Sequence, residues 1–457
     1  MMSKFKHIFF YLLLLTSSKL WSQNDLTLYH MQSLPQRLYT NPAALPDSKF
    51  FIALPLIGNL NFDAGLSFLE LKNLNNLIDE DDKRITIDLS QLDAVFKEEN
   101  YLYFNNYIEL GHAGISLGKN FIQANFGIKN RIRFQYPKDL IDLIVDGNGG
   151  SNLGKTFQLA PSIMFQSYAE VGIGYTRAFG KNDRFKLGTR VKLLRGLSDF
   201  STENAYLSLQ TNPIDYSYSI ENRLKVNTSS TGIENPWQDL GELSNNGLAV
   251  DLGFQAQLSK RLSISGAVND IGKINWVSNT KTYFTPNQFF EFDGVRLDNI
   301  LLDSQEFKAD LKSYRDSFFN LFDVDTAAGG SYTTRLPAYF YLGGSFVLLN
   351  NHRIGALIYC DIFDQKIHPA FTLSYNARLT KALSLSASGS FRQGMLIGFG
   401  AGGSINMGPV QFYLVLDNIP FLGLERANYF NARTGFNLTF RRRAAIRKEK
   451  KNRKKIS

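Results

Sequence analysis

Two glycine-containing motifs in the sequence match patterns that carry enzyme chemistry. GISLG (Gly114–Gly118) fits G-x-S-x-G, in which a nucleophilic serine lies on a sharp turn between a strand and a helix. Here Ser116 lies in an alternating strand that leads through a GKN turn into another strand, and His112 shares its face without a third partner. GFGAGG (Gly398–Gly403) fits G-x-G-x-x-G, but a turn and a strand follow it where a dinucleotide site needs a helix. We therefore predict no catalytic residue and no cofactor, and interpret the second motif as a place where strands bend or approach closely.

Metal ligation has little support in the spacing of the residues. DVDTAAGG (Asp323–Gly330) begins like a calcium loop but lacks the third oxygen ligand and the closing glutamate. No two histidines have the spacing of a zinc site; the histidines are His7, His30, His112, His352 and His368. We predict no metal site.

One group of basic residues could bind a ligand. Its members lie on the polar faces of two alternating segments, 121–134 and 184–195. In a membrane barrel the polar face is the lumen, because a charge that faces lipid at mid-depth costs about 2–4 kcal/mol. We expect either that this patch attracts anionic solutes or the anionic head of an amphiphile, or that acids on neighbouring strands or inserted helices neutralise it. The residues are Lys129, Arg131, Arg133, Arg184, Lys186, Arg190 and Lys192.

The segments that carry these residues alternate with period two, which predicts β-strands. In Asn59–Phe68, apolar side chains occupy every second position and small or polar residues occupy the others. Tight turns such as GKN at residues 118–120 separate the alternating segments. The same alternation runs through Phe121–Phe134, Tyr168–Phe179, Arg184–Arg195, Tyr216–Val226 and Leu248–Leu258.

These strands predict a transmembrane barrel, although the strands of a two-sheet sandwich would also alternate. The candidate strands are long enough for tilted spans of a bilayer, and hairpin connections continue through most of the chain. Their ends are rich in Tyr and Phe, which is typical of the girdles at membrane interfaces. We expect an all-β protein, an antiparallel transmembrane β-barrel of about 14 strands within a range of about 12–16, with short helices in loops or a plug.

Three segments depart from the strand pattern. Pro137–Asp146 is followed by glycines, which predicts a short helix that ends there. Gln305–Phe322 repeats apolar residues at helical spacing, which predicts an amphipathic helix in a long insertion. We expect loop helices at the barrel mouth, with a gating or substrate role as the alternative. The acidic DEDDKR (Asp79–Arg84) is expected to be an exposed loop.

The N-terminus and the cysteine content predict an exported bacterial protein. Lys4 and Lys6 precede the apolar run Ile8–Leu15, which is too short to anchor the chain, and cleavage is expected before Gln23. Cys360 is the only cysteine, which is ordinary for a bacterial envelope protein and unusual for a eukaryotic secreted one. We divide the chain into a signal peptide (1–22), an N-terminal periplasmic or plug segment (23–48), an outer-membrane barrel (49–440) and a basic periplasmic tail (441–457).

The formal charge of +9 lies at the two ends of the chain. Residues 441–457 hold ten Lys and Arg against one acid, and the first 22 residues add three lysines, so the body between them is slightly acidic. Such a body has no basic field to attract a polyanion, and we predict no nucleic-acid partner. The tail is expected to be solvated and to touch lipid head groups or peptidoglycan, or alternatively to dock an acidic periplasmic partner.

Four stretches carry a resemblance to a known family: Tyr39–Pro55, Tyr168–Thr202, Gly247–Trp276 and Gly408–Ile419. Together they resemble a family of uncharacterised outer-membrane β-barrel proteins from Bacteroidota, described as a domain of unknown function. The resemblance runs through the mature chain up to Phe440 and implies a location and a fold but no catalytic residues. NPAAL, within the first stretch, also resembles the N-terminal segment of long-chain fatty-acid transporter-type barrels and of a related barrel of the type nine secretion system.

We therefore expect a non-enzymatic outer-membrane barrel that allows passive transport or delivery of a small or amphiphilic compound. The alternative is a structural or interaction barrel that acts as an accessory or scaffold for secretion, motility or envelope assembly. The expected partners are outer-membrane lipids, the barrel-assembly machinery, an amphiphilic ligand and a periplasmic partner of the tail.

Overall fold

The computed structural model describes the greater part of the chain. The described residues are 25–66, 78–81, 84–87, 96–230, 245–286, 289–293, 304–349, 351–363, 366–392, 395–419 and 429–441. The predicted signal peptide (1–22) and the basic tail after Arg441 lie outside these residues.

Antiparallel strands make up most of the described chain. Their bounds are β1 Ser48–Ala53, β2 Leu60–Leu66, β3 Ile78–Asp81, β4 Arg84–Ile87, β5 Glu99–Leu117, β6 Asn120–Pro137, β7 Thr156–Gln158, β8 Ser162–Phe179, β9 Phe185–Thr211, β10 Tyr218–Ser230, β11 Asn246–Gln257, β12 Leu262–Trp276, β13 Thr280–Phe284, β14 Phe289–Phe292, β15 Asp325–Ala328, β16 Tyr332–Arg335, β17 Ala338–Leu349, β18 His352–Phe363, β19 Lys366–Arg378, β20 Leu383–Arg392, β21 Met395–Met407, β22 Val410–Asp417 and β23 Tyr429–Arg441.

The large sheet closes into a barrel with 14 strand positions, as the sequence predicts. Five positions are shared by strands that follow one another along the same line: β1 with β2, β7 with β8, β10 with β11, β12 to β14, and β15 to β17. The barrel closes because β23 pairs with β1 and β2, which also pair with β5 on their other side. Closure removes the exposed sheet edges that would otherwise be unpaired in lipid.

The two faces of the barrel wall differ in polarity. Outward-facing side chains such as Ile173 and Leu193 are 61% and 62% exposed, although both are strongly apolar. Inward-facing side chains include charged residues such as Glu170 and Arg190, which are buried. An apolar exterior around a polar interior is the pattern of a barrel whose solvent is a bilayer. None of the helices in the described part of the chain is long and apolar enough to cross a membrane.

The two ends of the barrel differ in their connections. At one end, turns of a few residues join β5–β6, β8–β9, β11–β12, β17–β18, β19–β20 and β21–β22, and the same end holds the start of β1 and the finish of β23. We call this the short-turn end and the opposite end the long-loop end. Both predicted helices are confirmed at the long-loop end, as α1 (Asp139–Asp146) and α2 (Ser304–Asn320). Short 3-10 helices span Leu28–His30, Pro35–Tyr39, Gly150–Asn152 and Lys181–Asp183.

One side of the wall extends beyond the rest at the long-loop end. Strand β9 has 27 residues, whereas about ten are enough to cross a bilayer. Its half nearer the long-loop end, residues 198–211, pairs with β10. The segment around the end of α2 packs against this extension through a cluster that includes Ile220, Phe290 and Leu321. The expectation that Asp79–Arg84 is a loop was wrong in part, because residues on both sides of 82–83 pair as the antiparallel hairpin β3–β4.

The first strand position contains a kink between β1 and β2. Residues 54–59 face only residues 435–436 of β23, so the chain forms a bulge at this point. Leu56 there adopts a left-handed backbone conformation with φ of 66°, which is uncommon for a bulky side chain. The carbonyl of Gly58 accepts hydrogen bonds from Gln36 and from the hydroxyl of Tyr413, so the kink is held on its inner side.

Candidate functional site

Residues 25–47, which we call the lumen segment, occupy the interior of the barrel. Side chains from several wall strands hold this segment by hydrogen bonds. Asp417 of β22 accepts hydrogen bonds from the backbone N–H groups of Leu26 and Thr27, at 3.1 Å and 3.0 Å. Gln36 and Asn437 exchange side-chain hydrogen bonds of 2.8 Å and 3.1 Å. Because these buried polar groups have partners in the wall, the segment is held in place inside the barrel.

The NPAAL motif is the part of the lumen segment that docks against β9, β11 and β12. The Asn41 amide oxygen accepts a hydrogen bond of 2.8 Å from Ala43 N–H, and its nitrogen donates to the carbonyls of Phe254 and Gly266. An added Cβ at Gly188 would lie 2.6 Å from the backbone of Pro42. The motif therefore depends on Asn41 for its hydrogen bonds and on Gly188 for space beside Pro42. Packing against the wall is enough to explain why this sequence is present.

The GFGAGG motif serves the same purpose on β21. An added Cβ at Gly400 would lie 2.3 Å from Thr27 Oγ1, and one at Gly402 would lie 2.5 Å from Met31 Sδ. Strand β22 follows the motif, so no βαβ unit is present. These glycines allow the lumen segment to approach the wall closely, in agreement with the interpretation from the sequence.

The serine of GISLG also has a structural position. Ser116 lies near the end of β5, which is followed by a turn and by β6. The His112 ring forms a 3.0 Å hydrogen bond with Gln123 and lies 3.4 Å from the carboxylate of Glu109. The strand-to-helix turn that a nucleophile elbow requires is not formed by these residues.

Tyr39 links the lumen segment to charged residues of the wall. Its hydroxyl donates a hydrogen bond to Glu109, and its ring lies 4.7 Å from the guanidinium of Arg190 and 5.8 Å from that of Arg433. Burial, and then the nearby charge of Glu109, raise the pKa of Tyr39 well above its usual range. The phenol therefore stays protonated and can donate to the carboxylate.

Arg433 of β23 binds the first described residue of the chain. Its Nε and Nη2 atoms donate two hydrogen bonds of 2.7 Å to the carboxylate of Asp25, and its Nη1 atom donates to Asn59. A two-point contact of this kind fixes orientation as well as charge. Asp25 is therefore held within the lumen beside the kink between β1 and β2.

Two of the predicted basic residues lie on β9 and form buried ion pairs with acids. Arg190 Nη2 lies 2.5 Å from Asp251 Oδ2, and Lys192 Nζ lies 2.6 Å from Asp251 Oδ1. Lys192 also binds Asp270 on β12. All four side chains are nearly fully buried, so these charges depend on one another.

Two further predicted residues, on β6, join the same group. Lys129 Nζ lies 2.9 Å from Glu170 and 3.5 Å from Asp270, and Arg131 Nη2 lies 3.2 Å from Asp270. Asp270 thus receives three cations from two strands. Its backbone φ of 60° lies in the left-handed region, which Asp tolerates better than most residues.

The remaining predicted basic residues lie apart from these ion pairs. Arg133 is buried further along β6 within the electrostatic reach of Asp361. Lys186 is partly buried near the short-turn end of β9, and Arg184 is exposed in the turn before that strand. The structure thus brings Lys129, Arg131, Arg190 and Lys192 together. Arg133, Arg184 and Lys186 lie outside this group.

A cavity of about 80 Å³ lies among these charges. Its lining includes Asp25 and Tyr39 of the lumen segment, Arg433 of β23 and the ion pairs centred on Asp270. We call it the central cavity. Its volume admits only a few water molecules or a small polar group. Acids and cations from both sides of the lumen therefore face one small space.

The acids of the central cavity were not predicted from the sequence as site residues. Glu170 and Asp251 lie on the inward faces of β8 and β11, positions that alternation does indicate. Asp270 lies where the alternation of β12 breaks, and Asp25 lies in the lumen segment. What alternation cannot indicate is the pairing across strands, because that depends on register and on the lumen segment. The acids concerned are Asp25, Glu170, Asp251 and Asp270.

A closed antiparallel barrel with an apolar exterior, and with residues 25–47 held inside its charged lumen, defines a membrane β-barrel. The chain belongs to DUF5723, a family of unknown function, which matches residues 42–417. No curated protein matches the sequence.

Several solved outer-membrane barrels are similar in fold at low identity. The toluene transporter TbuX of Ralstonia pickettii is 9% identical with a TM-score of 0.44, over 90% of this chain and 95% of that one. The toluene transporter TodX of Pseudomonas putida is 10% identical with a TM-score of 0.44, over 90% and 96%. A FadL homologue of Pseudomonas aeruginosa is 11% identical with a TM-score of 0.43, over 92% and 98%.

Proposed function

We propose that this protein is a plugged outer-membrane barrel that binds a small amphiphilic compound and passes or delivers it across the outer membrane without changing it chemically. The observation that carries the proposal is the central cavity, where Asp25, Arg433 and the ion pairs around Asp270 face one space of about 80 Å³. In an outer-membrane barrel the short turns face the periplasm, so the lumen segment enters from the periplasmic side.

The chemistry of the central cavity favours a polar head group as the part of the ligand that it binds. Cations and carboxylates lie next to one another there, so either sign of ligand charge can exchange with an existing partner. The tyrosines Tyr107, Tyr339 and Tyr341 add aromatic surface to the same lining. Rings with a polar tip suit a compound that is partly apolar.

Passage through the lumen would require the lumen segment to shift. The ion pair between Asp25 and Arg433 holds the inner end of this segment, so its strength would set how often the path opens. No bond of the ligand is broken in this scheme, which agrees with the position of Ser116 inside a strand.

Flux through purified protein in liposomes tests the proposal. We would measure entry of dodecyl phosphate and of dodecyltrimethylammonium into liposomes that hold the wild-type barrel or the Asp25→Asn variant. Saturable entry of at least one probe, increased severalfold in the variant, is expected because Asn keeps the shape of Asp but loses its charge. Entry no faster than into protein-free liposomes for both proteins would reject transport.

A second candidate function has its own observation. The extension of β9, β10 and β13–β16 beyond the membrane-spanning wall offers a surface for a partner at the long-loop end. A scaffold for secretion, motility or envelope assembly would use such a surface and would need no flux. Recovery of one stoichiometric envelope partner that is lost on deleting residues 304–320, with no flux of either probe, would favour this function.

A further inference from the structure

The short-turn end holds a second cavity that the transport proposal does not use. It measures about 140 Å³ and lies between residues 30–33 of the lumen segment and strands β18, β19 and β20. We call it the rim cavity. Arg353 and Arg378 line it together with Asp47 and the polar side chains of Asn351, Asn376 and Ser33.

The cations of the rim cavity outnumber its acids. Arg378 forms an ion pair with Asp47, and the charge of Asp47 is also the acidic charge that acts on Arg353. Arg353 is half-buried, and the positive charge of Arg378 acts on it as well. Because two guanidinium groups face one carboxylate, the rim cavity has a net positive charge and can bind an anion. The planar guanidinium groups have a geometry that suits phosphate oxygens.

His30 does not add a charge to this site. Its ring is buried and donates a hydrogen bond to the Ala356 carbonyl at 3.3 Å. Burial, and then the charge of Arg37, lower the pKa of His30 to about 4. The site therefore has the charge of its two arginines and of Asp47 at neutral pH.

An apolar groove lies on the outer wall beside the rim cavity. It has a volume of about 620 Å³ and crosses β19–β22. Ala387, Ala401 and Gly403 form its floor, and larger side chains such as Leu385, Ile405 and Phe412 stand around them. Because this face of the wall is turned to the bilayer, the groove is open to lipid chains.

The two features meet at the same point of the rim. Ala377 and Leu385, which pair across β19 and β20, line both the rim cavity and the groove. Arg378 is the last residue of β19, and residues 379–382 form the turn over which a head group could bend. A cationic cavity and an apolar groove are thus joined at the level of one bilayer interface.

We propose that the rim cavity and the groove form a site for one anionic phospholipid. Its phosphate binds Arg353 and Arg378 at the rim, and an acyl chain lies over Ala387, Ala401 and Gly403. The occupant comes from the leaflet at the short-turn end, which in an outer membrane is the phospholipid leaflet. This site is independent of passage through the lumen.

Native mass spectrometry of the purified full-length barrel in neutral detergent tests the proposal. The probes are dioleoyl phosphatidylglycerol, dioleoyl phosphatidylcholine and inorganic phosphate. The wild type should bind phosphatidylglycerol at least tenfold more tightly than phosphatidylcholine, because only the first carries a net negative charge. Equal affinity for the two lipids would overturn the proposal.

Two paired variants separate the head-group and chain contacts. Arg353→Gln with Arg378→Gln should reduce the preference for phosphatidylglycerol to less than twofold. The control, Lys260→Gln with Arg261→Gln, removes the same charge from an exposed turn at the same end and should keep the preference. Equal losses in the two double variants would overturn the site, since they would reflect net charge alone.

Ala401→Trp fills the groove and should weaken phosphatidylglycerol at least fivefold while leaving inorganic phosphate unaffected. Ile173→Trp, on the outer face of β8, is its control and should leave both unaffected. If Ala401→Trp changes neither probe, the site is an anion site without a lipid chain and the proposal fails. Heat-modifiable migration of each variant on electrophoresis establishes that the barrel has folded.

Discussion

The central cavity and the rim cavity are both lined by arginine and aspartate, but the two cavities differ in how far these charges are buried and in how completely they are paired. In the central cavity, Asp270 and its neighbours pair with every basic residue that the structure brings there from β6 and β9, and all are shielded from water. At the rim, Asp47 is half exposed, forms an ion pair with Arg378 and is also the acidic charge that acts on Arg353. A ligand of the central cavity must therefore displace a buried partner, whereas the exposed carboxylate that two arginines share at the rim leaves them open to a ligand without such an exchange.

Among the variants that test this comparison, removing the charge of Asp270 should reduce the free energy of unfolding the most. Asp270→Asn keeps the shape and tolerates the left-handed backbone, but leaves Lys129, Arg131 and Lys192 without their shared partner. We expect a loss of about 3–5 kcal/mol in the free energy of unfolding, measured by urea titration in liposomes. A loss below about 1 kcal/mol would mean that water reaches these charges, as at the rim.

Overpacking the contact between β21 and the lumen segment should have the next largest effect. A side chain at Gly400 would meet Thr27 Oγ1 at 2.3 Å and Ser388 Oγ at 2.5 Å, so Gly400→Val should cost about 1–3 kcal/mol of unfolding free energy. Gly344→Val is the matched control, because the nearest atom to its added Cβ lies 4.0 Å away. Equal losses of unfolding free energy in the two variants would show that the cost comes from placing valine in a strand and not from the contact with the lumen segment.

Lowering the pH should reduce the free energy of unfolding through His30, which lies in the lumen segment. The buried ring has a pKa of about 4, below the ordinary value of 6.5, so the unfolded chain binds the proton first as pH falls. Stability from this group is therefore present at neutral pH and is lost between about pH 6.5 and 4, by about 2 kcal/mol at pH 5. Unfolding of the wild type and of His30→Gln at pH 7.5 and 5 measures it, and the variant should lack this component. An identical pH dependence in the two proteins would assign the effect to other groups.

The smallest effect on stability is expected at the rim. Asp47→Asn removes a half-exposed ion pair and should change the free energy of unfolding by less than about 1 kcal/mol. The same change frees Arg378, so binding of phosphatidylglycerol should tighten severalfold in the mass-spectrometric titration. A stability loss as large as that of Asp270→Asn would remove the distinction between the two cavities.

The sequence predicted the wall of this molecule better than its interior. Period-two alternation indicated both the number of strand positions and which face of β6 and β9 is polar, because those properties depend on neighbouring residues. The partners of Lys129 and Arg190 could not be predicted in the same way. Asp251 lies directly opposite Arg190, whereas Glu170 reaches Lys129 diagonally because the residue opposite Lys129 is Tyr168. Both contacts depend on the register between strands, and a shift of one residue would reverse every face.

The alternation of apolar and polar residues also did not predict the kink between β1 and β2 or the left-handed backbone of Asp270. The bulge at residues 54–59 follows from the pairing of β1 and β2 with β5 and β23. The NPAAL motif was noticed only through a resemblance. Its physical reason, a fit of Asn41 and Pro42 against glycines of the wall, requires the lumen segment and the strands together.

The contacts of the lumen segment determine the order in which the molecule can be assembled. Asp25 and Arg433 are 408 positions apart, and Thr27 and Asp417 are 390 apart, so these two contacts join the first described residues to the last two strands. Contacts of such high sequence separation form late, since the intervening chain must be ordered first. The contacts of Asp25 with Arg433 and of Thr27 with Asp417 therefore form only when β22 and β23 are in place, so this end of the lumen segment is fixed in the same step that closes the barrel.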